Sequence, residues 1–162
     1  MELFFITTLT FSTNLLVGKF FRLRSLDIIL SFIFHFILTF LSINFVIAKG
    51  GDAVFYYNAS KLSTEGLNMY FGGNIIIDLV GIFSNNFALS YVNTSLIFSS
   101  LGFTGILIYS KIIKDLLYDL PKRYNLIYYL ILFSPSLHFW SSLIGKDNLC
   151  LFLISLIILS LI

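Results

Sequence analysis

Charge is what this chain has least of. Asp, Glu, Lys and Arg make up 11% of its 162 residues, against 58% hydrophobic. A soluble domain of this length carries about a quarter charged residues, so too little charge is present to solvate a surface, and the chain reads as an integral membrane protein. Cysteine is nearly absent too. Cys150 stands alone inside an apolar run, which excludes an intrachain disulfide and a cysteine-based zinc site. The net charge of +2 is small and dispersed, so the basic footprint of a nucleic-acid partner is missing. Neither a phosphate-binding glycine loop nor a GxSxG or HExxH motif occurs. Alanine is scarce while Ile, Phe, Asn and Lys are plentiful, a bias that fits an AT-rich genome rather than a chemistry.

What is present is a series of apolar runs. Leu26 to Ala48 carries one formal charge, Asp27 at its edge, and as a helix reaches about 34 Å, enough for a hydrocarbon core of about 30 Å. Asn93 to Ile113 is a second span, with Gly102 and Gly105 permitting close helix approach. Leu3 to Val17 is shorter and rich in Thr and Ser, a marginal span. Glu2 and the lack of a small-residue cleavage site make it a poor signal peptide. Leu126 to Trp140 and Leu149 to Ile162 are further short runs. With no polar tail after Ile162, the chain reads as the front piece of a longer protein. The expected fold is all-α: one transmembrane domain over residues 1–162, with four to five transmembrane helices.

Two basic clusters set the expected orientation. Lys19, Arg22 and Arg24 lie between the first two runs, and Lys111, Lys114, Lys122 and Arg123 surround Pro121. Both belong on the cytoplasmic side, which puts Lys49 to Val92 and Ser141 to Asp147 outside. In the outer segment, Asp52, Tyr56 and Ser60 recur at helical spacing, Gly72-Gly73 interrupts, and Ile75 to Asn85 mixes apolar residues with Asn74 and Asp78. One or two helices lying in the membrane interface are expected there. Asp78 either faces water or supplies an acid. Asn58-Ala59-Ser60 and Asn93-Thr94-Ser95 match the glycosylation triplet, a pattern frequent by chance.

Two polar islands stand out. One is Gly50 to Tyr57. The other is Ser134 to Asp147. Asp52 suits a helix N-cap and equally a general base for a hydroxyl. Tyr56, Tyr57 and Trp140 suit interfacial anchors. Lys146 can snorkel to headgroups or hold a phosphate as a point charge, with Ser142 one helical turn away on the same face. Asp147 can cap the last helix. Pro135 ends or kinks its helix and frees backbone donors. His138 is placed to contact a headgroup, whereas His35, mid-span with no second ligand at metal spacing, reads as a hydrogen-bonded structural histidine rather than a proton relay or ligand.

The pattern of a strong span followed by Gly-Asp-Ala-x-x-Tyr-Tyr-x-Ala at Gly51 to Ala59 resembles the polytopic GT-C glycosyltransferases and related oligosaccharide polymerases. The Ser134 to Asp147 segment is similar to a Pro-Ser-x-x-x-Trp-Ser-x-x-x-x-Lys-Asp/Glu stretch of bacterial members. The likeness extends over roughly residues 26–160, its specific part over some fifteen positions. The chain departs from the family in its extra hydrophobic segment at Leu3 to Val17, its lone rather than paired acid at Asp52, and its smaller number of spans. The resemblance implies transfer of a sugar from a polyprenyl-phosphate donor to a glycan or lipid acceptor, outside a bacterial inner membrane. It implies Asp52 as the catalytic acid–base residue, with Tyr56, Tyr57, His138, Trp140, Ser142, Lys146 and Asp147 binding substrate. No cofactor is implied, and a divalent metal is compatible but not required. The residues leave open a non-catalytic helical membrane subunit or a transporter component.

Overall fold

A computed structural model describes residues 1–62, 73–118, 121 and 125–162. The described elements are helical: α1 Glu2–Phe20, α2 Ser25–Lys49, α3 Asp52–Leu62, α4 Gly73–Gly81 running into a π-helical turn Ile82–Asn86, α5 Tyr91–Leu116, α6 Asn125–Leu132, α7 Pro135–Trp140 and α8 Lys146–Leu161. No strand occurs among the described residues. Gly72, Lys122 and Arg123, which carried parts of the sequence reading, lie outside them.

α2 explains the architecture. Its outward residues are Leu26, Leu30, Ile33, Ile37, Leu41 and Phe45, each about half exposed, while Ser31, His35, Thr39 and Ser42 are buried. A helix in water turns its apolar stripe inward. Here the stripe faces out and the small polar residues face in, the arrangement favoured where the solvent is hydrocarbon and helices associate through packing and hydrogen bonds. Among the described residues three helices, α1, α2 and α5, are long and apolar enough to cross a membrane. The expected further spans are shorter. The run from Leu126 to Trp140 is not one helix, because α6 stops at Leu132 and α7 starts afresh at Pro135. There Ser134 is the N-cap, its Oγ accepting from the Leu137 amide, with Pro135 in the first turn, where its missing N–H costs nothing. α8 has 16 residues and reaches about 24 Å.

α5 is the central post, packing against α1, α2, α6, α7 and α8. Its glycines act as the sequence implied. A Cβ on Gly102 would overlap the Ser141 carbonyl oxygen, and one on Gly105 would meet the backbone of Phe152 at 3.0 Å. Ser90 caps the helix, accepting from the Asn93 amide at 3.3 Å. Asn93 is itself buried and donates to Glu2 Oε2 at 3.3 Å, which removes it as a glycosylation acceptor.

The two ends of the bundle differ. At one end the Lys114 ammonium donates to the Arg22 carbonyl at 3.4 Å, so the two basic clusters meet through their described members. A core of Leu23, Ile28, Phe32, Phe103, Leu107, Tyr128 and Leu132 fills that half, and the Tyr128 hydroxyl donates to Asp27 at 3.4 Å. At the other end α3 and α4 are two short helices in the segment after Leu26 to Ala48, where one or two were expected. They close over Val46, Tyr56, Ile76, Val80, Phe98 and Ile144. The buried side of α3 is tied down by Ser60, whose carbonyl accepts from Asn85 Nδ2 at 2.8 Å and whose Oγ lies 3.0 Å from Ser84 Oγ. Asp78 is half-buried on α4.

Candidate functional site

The chain turns from α2 into α3 through two glycines. Gly50 ends α2 with its amide donating to the Val46 carbonyl at 2.8 Å and a φ of 80°, a left-handed conformation that glycine adopts without penalty. Gly51 follows, and its carbonyl accepts from the Phe55 amide. Asp52 is therefore the first residue of α3 rather than the N-cap that its sequence suggested, and Gly51 takes the capping position. The Asp52 carboxylate still sits in the first turn, where it favours the positive end of the helix dipole.

A similar break precedes α8. Ser141 to Gly145 is irregular, Gly145 is the N-cap, and it offers no side-chain acceptor to the first free amides. Lys146 and Asp147 occupy the first turn, so Asp147 is not the cap either. Because residues 141–145 are not helical, Ser142 does not share a helix face with Lys146.

These two turns line one cleft of about 330 Å³. One wall is Phe45, Gly50, Gly51, Asp52 and Tyr56; the other is Trp140, Leu143, Lys146, Asp147 and Asn148. Asp52, Lys146 and Asp147 are exposed, Trp140 is 64% exposed, and Tyr56 is buried along its length. Five of the predicted site residues therefore come together: Asp52, Tyr56, Trp140, Lys146 and Asp147. The formal charge of the lining is one ammonium against two carboxylates. Asp52 and Asp147 are the oxygen ligands a divalent cation would use; among the described residues no group of three or more His, Cys, Asp or Glu joins into a metal site.

Three predicted residues are elsewhere. Tyr57 points away and donates to the Leu89 carbonyl at 2.9 Å. Ser142 is fully buried, donates to the Phe139 carbonyl at 2.7 Å and lies 3.2 Å from Ser42 Oγ. His138 is fully buried and cannot reach a headgroup. Its Nε2 lies 2.8 Å from the Leu132 carbonyl, and its Nδ1 lies 2.9 Å from Nδ1 of His35. The helix break at Pro135 thus frees a carbonyl, not donors, and the imidazole of His138 takes it up.

His35 Nε2 faces both the Ser99 carbonyl at 3.1 Å and Ser99 Oγ at 2.8 Å. Each imidazole thus turns Nε2 to a backbone carbonyl and Nδ1 to its partner ring. Two neutral rings carry one N–H each, which is too few to serve both carbonyls and the contact between the rings. Thr39 Oγ1 continues the chain, 2.8 Å from Ser99 Oγ and 2.9 Å from the His35 carbonyl it donates to. His35 is hydrogen-bonded through both ring nitrogens, as anticipated from sequence.

Sequence reasoning missed one residue of the cleft. Asn148 is fully buried, lines the cleft, and has no hydrogen-bond partner for either Oδ1 or Nδ2. Its signal was its place: the third residue of a helix whose N-cap is glycine, directly after Lys146-Asp147.

No protein-family model, curated protein or solved structure matches the chain.

Proposed function

We propose that the cleft is the donor site of a GT-C-like glycosyltransferase, which moves a sugar from a polyprenyl-phosphate carrier to an acceptor hydroxyl at the extracytoplasmic face of a bacterial inner membrane. The observation that carries this reading is that the two polar islands, far apart in sequence, line a single cleft with Asp52 on one wall and Lys146 on the other. In an apolar chain, exposed charges gathered at one end of a helical bundle mark a site where a membrane-anchored ligand presents a polar head.

The chemistry divides between the walls. Asp52 accepts the proton of the acceptor hydroxyl as that oxygen attacks the anomeric carbon. The new carbon–oxygen bond forms as the old bond to the phosphate oxygen breaks, and its electron pair leaves on the lipid phosphate. Lys146 neutralises that phosphate, helped by the uncapped amides at the start of α8. These amides take over the role that the sequence had given to Ser142 and His138. The isoprenoid tail stays in the bilayer along the apolar flank of α2. In this topology the broken α6–α7 segment and α8 complete two further crossings, with the basic end of the bundle in the cytoplasm.

The test begins with sidedness. In a Cys150→Ser background, single cysteines at positions 52 and 146 label in intact cells with a membrane-impermeant maleimide, while one at 114 does not. Labelling of 52 and 146 from opposite sides would remove the shared site. Transfer is then measured from a radiolabelled polyprenyl-phosphate hexose. Asp52→Asn lowers turnover by about 10²–10⁴-fold with protein levels unchanged. Parallel loss of protein and transfer would instead mark a non-catalytic membrane subunit.

A further inference from the structure

Among the described residues, Asn148, in the lining of the cleft, is the buried amide with neither polar atom bonded; the other buried atoms without a partner are single oxygens of Asp78, Tyr91, Thr94, Ser95 and Ser110. Its amide is fully buried, both polar atoms lack a hydrogen bond, and it sits in the first turn of α8 beside Lys146. Native structures rarely leave a buried amide unpaired, because the desolvation is not recovered. The residue above it is Gly145, where even an added Cβ would stand 3.9 Å from Asn148 Oδ1. Gly145 adds no side chain on that side, and Leu143 to Gly145 of the irregular turn adjoin Asn148 in the cleft lining.

The ligand chemistry follows from what the amide offers. Oδ1 accepts and Nδ2 donates, so a partner must do both. A phosphate presents acceptors and would leave Oδ1 opposite another oxygen. A hydroxyl both donates and accepts, and neighbouring hydroxyls on one ring match the two ends of an amide. The charges agree, since with Asp52 and Asp147 in the lining against Lys146 alone, an anion by itself is poorly matched to the whole cleft. We propose that Asn148 is the residue that reads the sugar: it hydrogen-bonds ring hydroxyls of the glycosyl group while Lys146 and the start of α8 hold the phosphate. This rests on the cleft being the donor site proposed above, and it adds the specificity element for the hydroxylated portion of the donor.

The chain carries its own reporter. Trp140 is its sole tryptophan and lines the cleft. The protein is placed in phosphatidylcholine nanodiscs, free of sugar-headed detergent, and Trp140 fluorescence is titrated with glucose 1-phosphate, methyl phosphate and methyl glucoside. Wild type binds glucose 1-phosphate at least about tenfold more tightly than methyl phosphate, the discrimination of roughly one good polar contact set. Asn148→Leu, close in size and without polar atoms, abolishes that preference, leaves methyl phosphate binding in place and raises Tm or leaves it unchanged. Asn148→Ala gives the same loss of preference with space to spare, so a packing failure of the leucine does not decide the outcome. Two results overturn the inference alone: both variants keep the preference, or Asn148→Leu lowers Tm while binding is preserved, which would make the amide a cap for the α8 amides. A third overturns the donor-site reading with it: wild-type Trp140 responds to none of the three probes although iodide quenches it.

Discussion

The bundle interior and the cleft are both polar regions in an apolar chain, and they differ in whether their buried amides and imidazoles are partnered, although the interior also holds unpartnered hydroxyls at Thr94, Ser95 and Ser110. In the interior, His35, His138, Ser99 and Thr39 form one chain of hydrogen bonds that ends on the Leu132 carbonyl. Asn14 does the same between α1 and α5, donating to Ser100 Oγ at 2.7 Å and accepting from Thr104 Oγ1 at 2.9 Å. At the cleft, Asn148 has no partner, α8 has no side-chain cap, and Asp52 and Lys146 are exposed. The amides and imidazoles of the interior bond to neighbouring protein groups, since hydrocarbon offers no alternative. Polar groups kept for a ligand are left with capacity to spare. The same residue types therefore carry opposite meanings in the two regions.

The largest expected effect comes from destroying both regions at once. Gly102 lets the Ser141 backbone press against α5, and that contact holds His138 on one side and the turn into α8 on the other. Gly102→Leu forces the segment off the post. The expected result is loss of folded protein in detergent, read as aggregation by size-exclusion chromatography. A variant that folds with the His35–His138 contact intact would show that the segment docks by other means.

The next substitution separates the regions. His138→Leu removes the bonds to His35 and Leu132 and leaves a buried nitrogen and a buried carbonyl unpaired, each costing about 1–3 kcal/mol. Tm should fall by several degrees, while glucose 1-phosphate still quenches Trp140. His35→Leu should do the same, and the double variant should cost less than the two singles combined, because they share one hydrogen bond. Full additivity would mean that the rings do not touch.

Much of this was legible in the sequence, and what was not has a physical cause. α2 and α5 are long apolar runs with polar ends, and the structure extends each by only a few residues. The turn at Gly50-Gly51 and the two short helices after it were readable from glycine and from the spacing of Asp52, Tyr56 and Ser60. The break of α6–α7 was readable at Pro135, but not its consequence, because which freed group is taken up, and by what, depends on a contact between positions 35 and 138. The spacing of Ser31, His35 and Thr39 did carry the direction of that face. The resemblance implies substrate contacts for His138, Ser142 and Tyr57, and side-chain direction takes them out of the cleft: the non-helical stretch 141–145 cancels the helical register on which Ser142 depends. Asn148 was overlooked because an asparagine at the start of a helix is ordinary until its lack of a partner is seen.

Within the cleft, Lys146→Met keeps the alkyl stem and removes the charge. If Lys146 holds the phosphate, methyl phosphate binding and turnover fall together, turnover by about 10²–10³-fold, with Tm unchanged because the ammonium is exposed. A fall in Tm without a change in binding would move Lys146 to the architectural side of the comparison.

The smallest effect belongs at the far end of the bundle. Lys111 and Asp115 pair one turn apart near the end of α5, far from the cleft and outside the buried hydrogen-bond chain. An exposed pair at this spacing contributes about 0.3–0.5 kcal/mol. Lys111→Gln should shift Tm by no more than about a degree or two and leave every Trp140 titration superimposable on wild type. The pair is partnered, as the interior amides and imidazoles are, and exposed, as the cleft is, so it separates the two variables. If its loss perturbed ligand binding, charge alone would reach the cleft along α5, and the unpartnered amide of Asn148 would no longer be what sets the cleft apart.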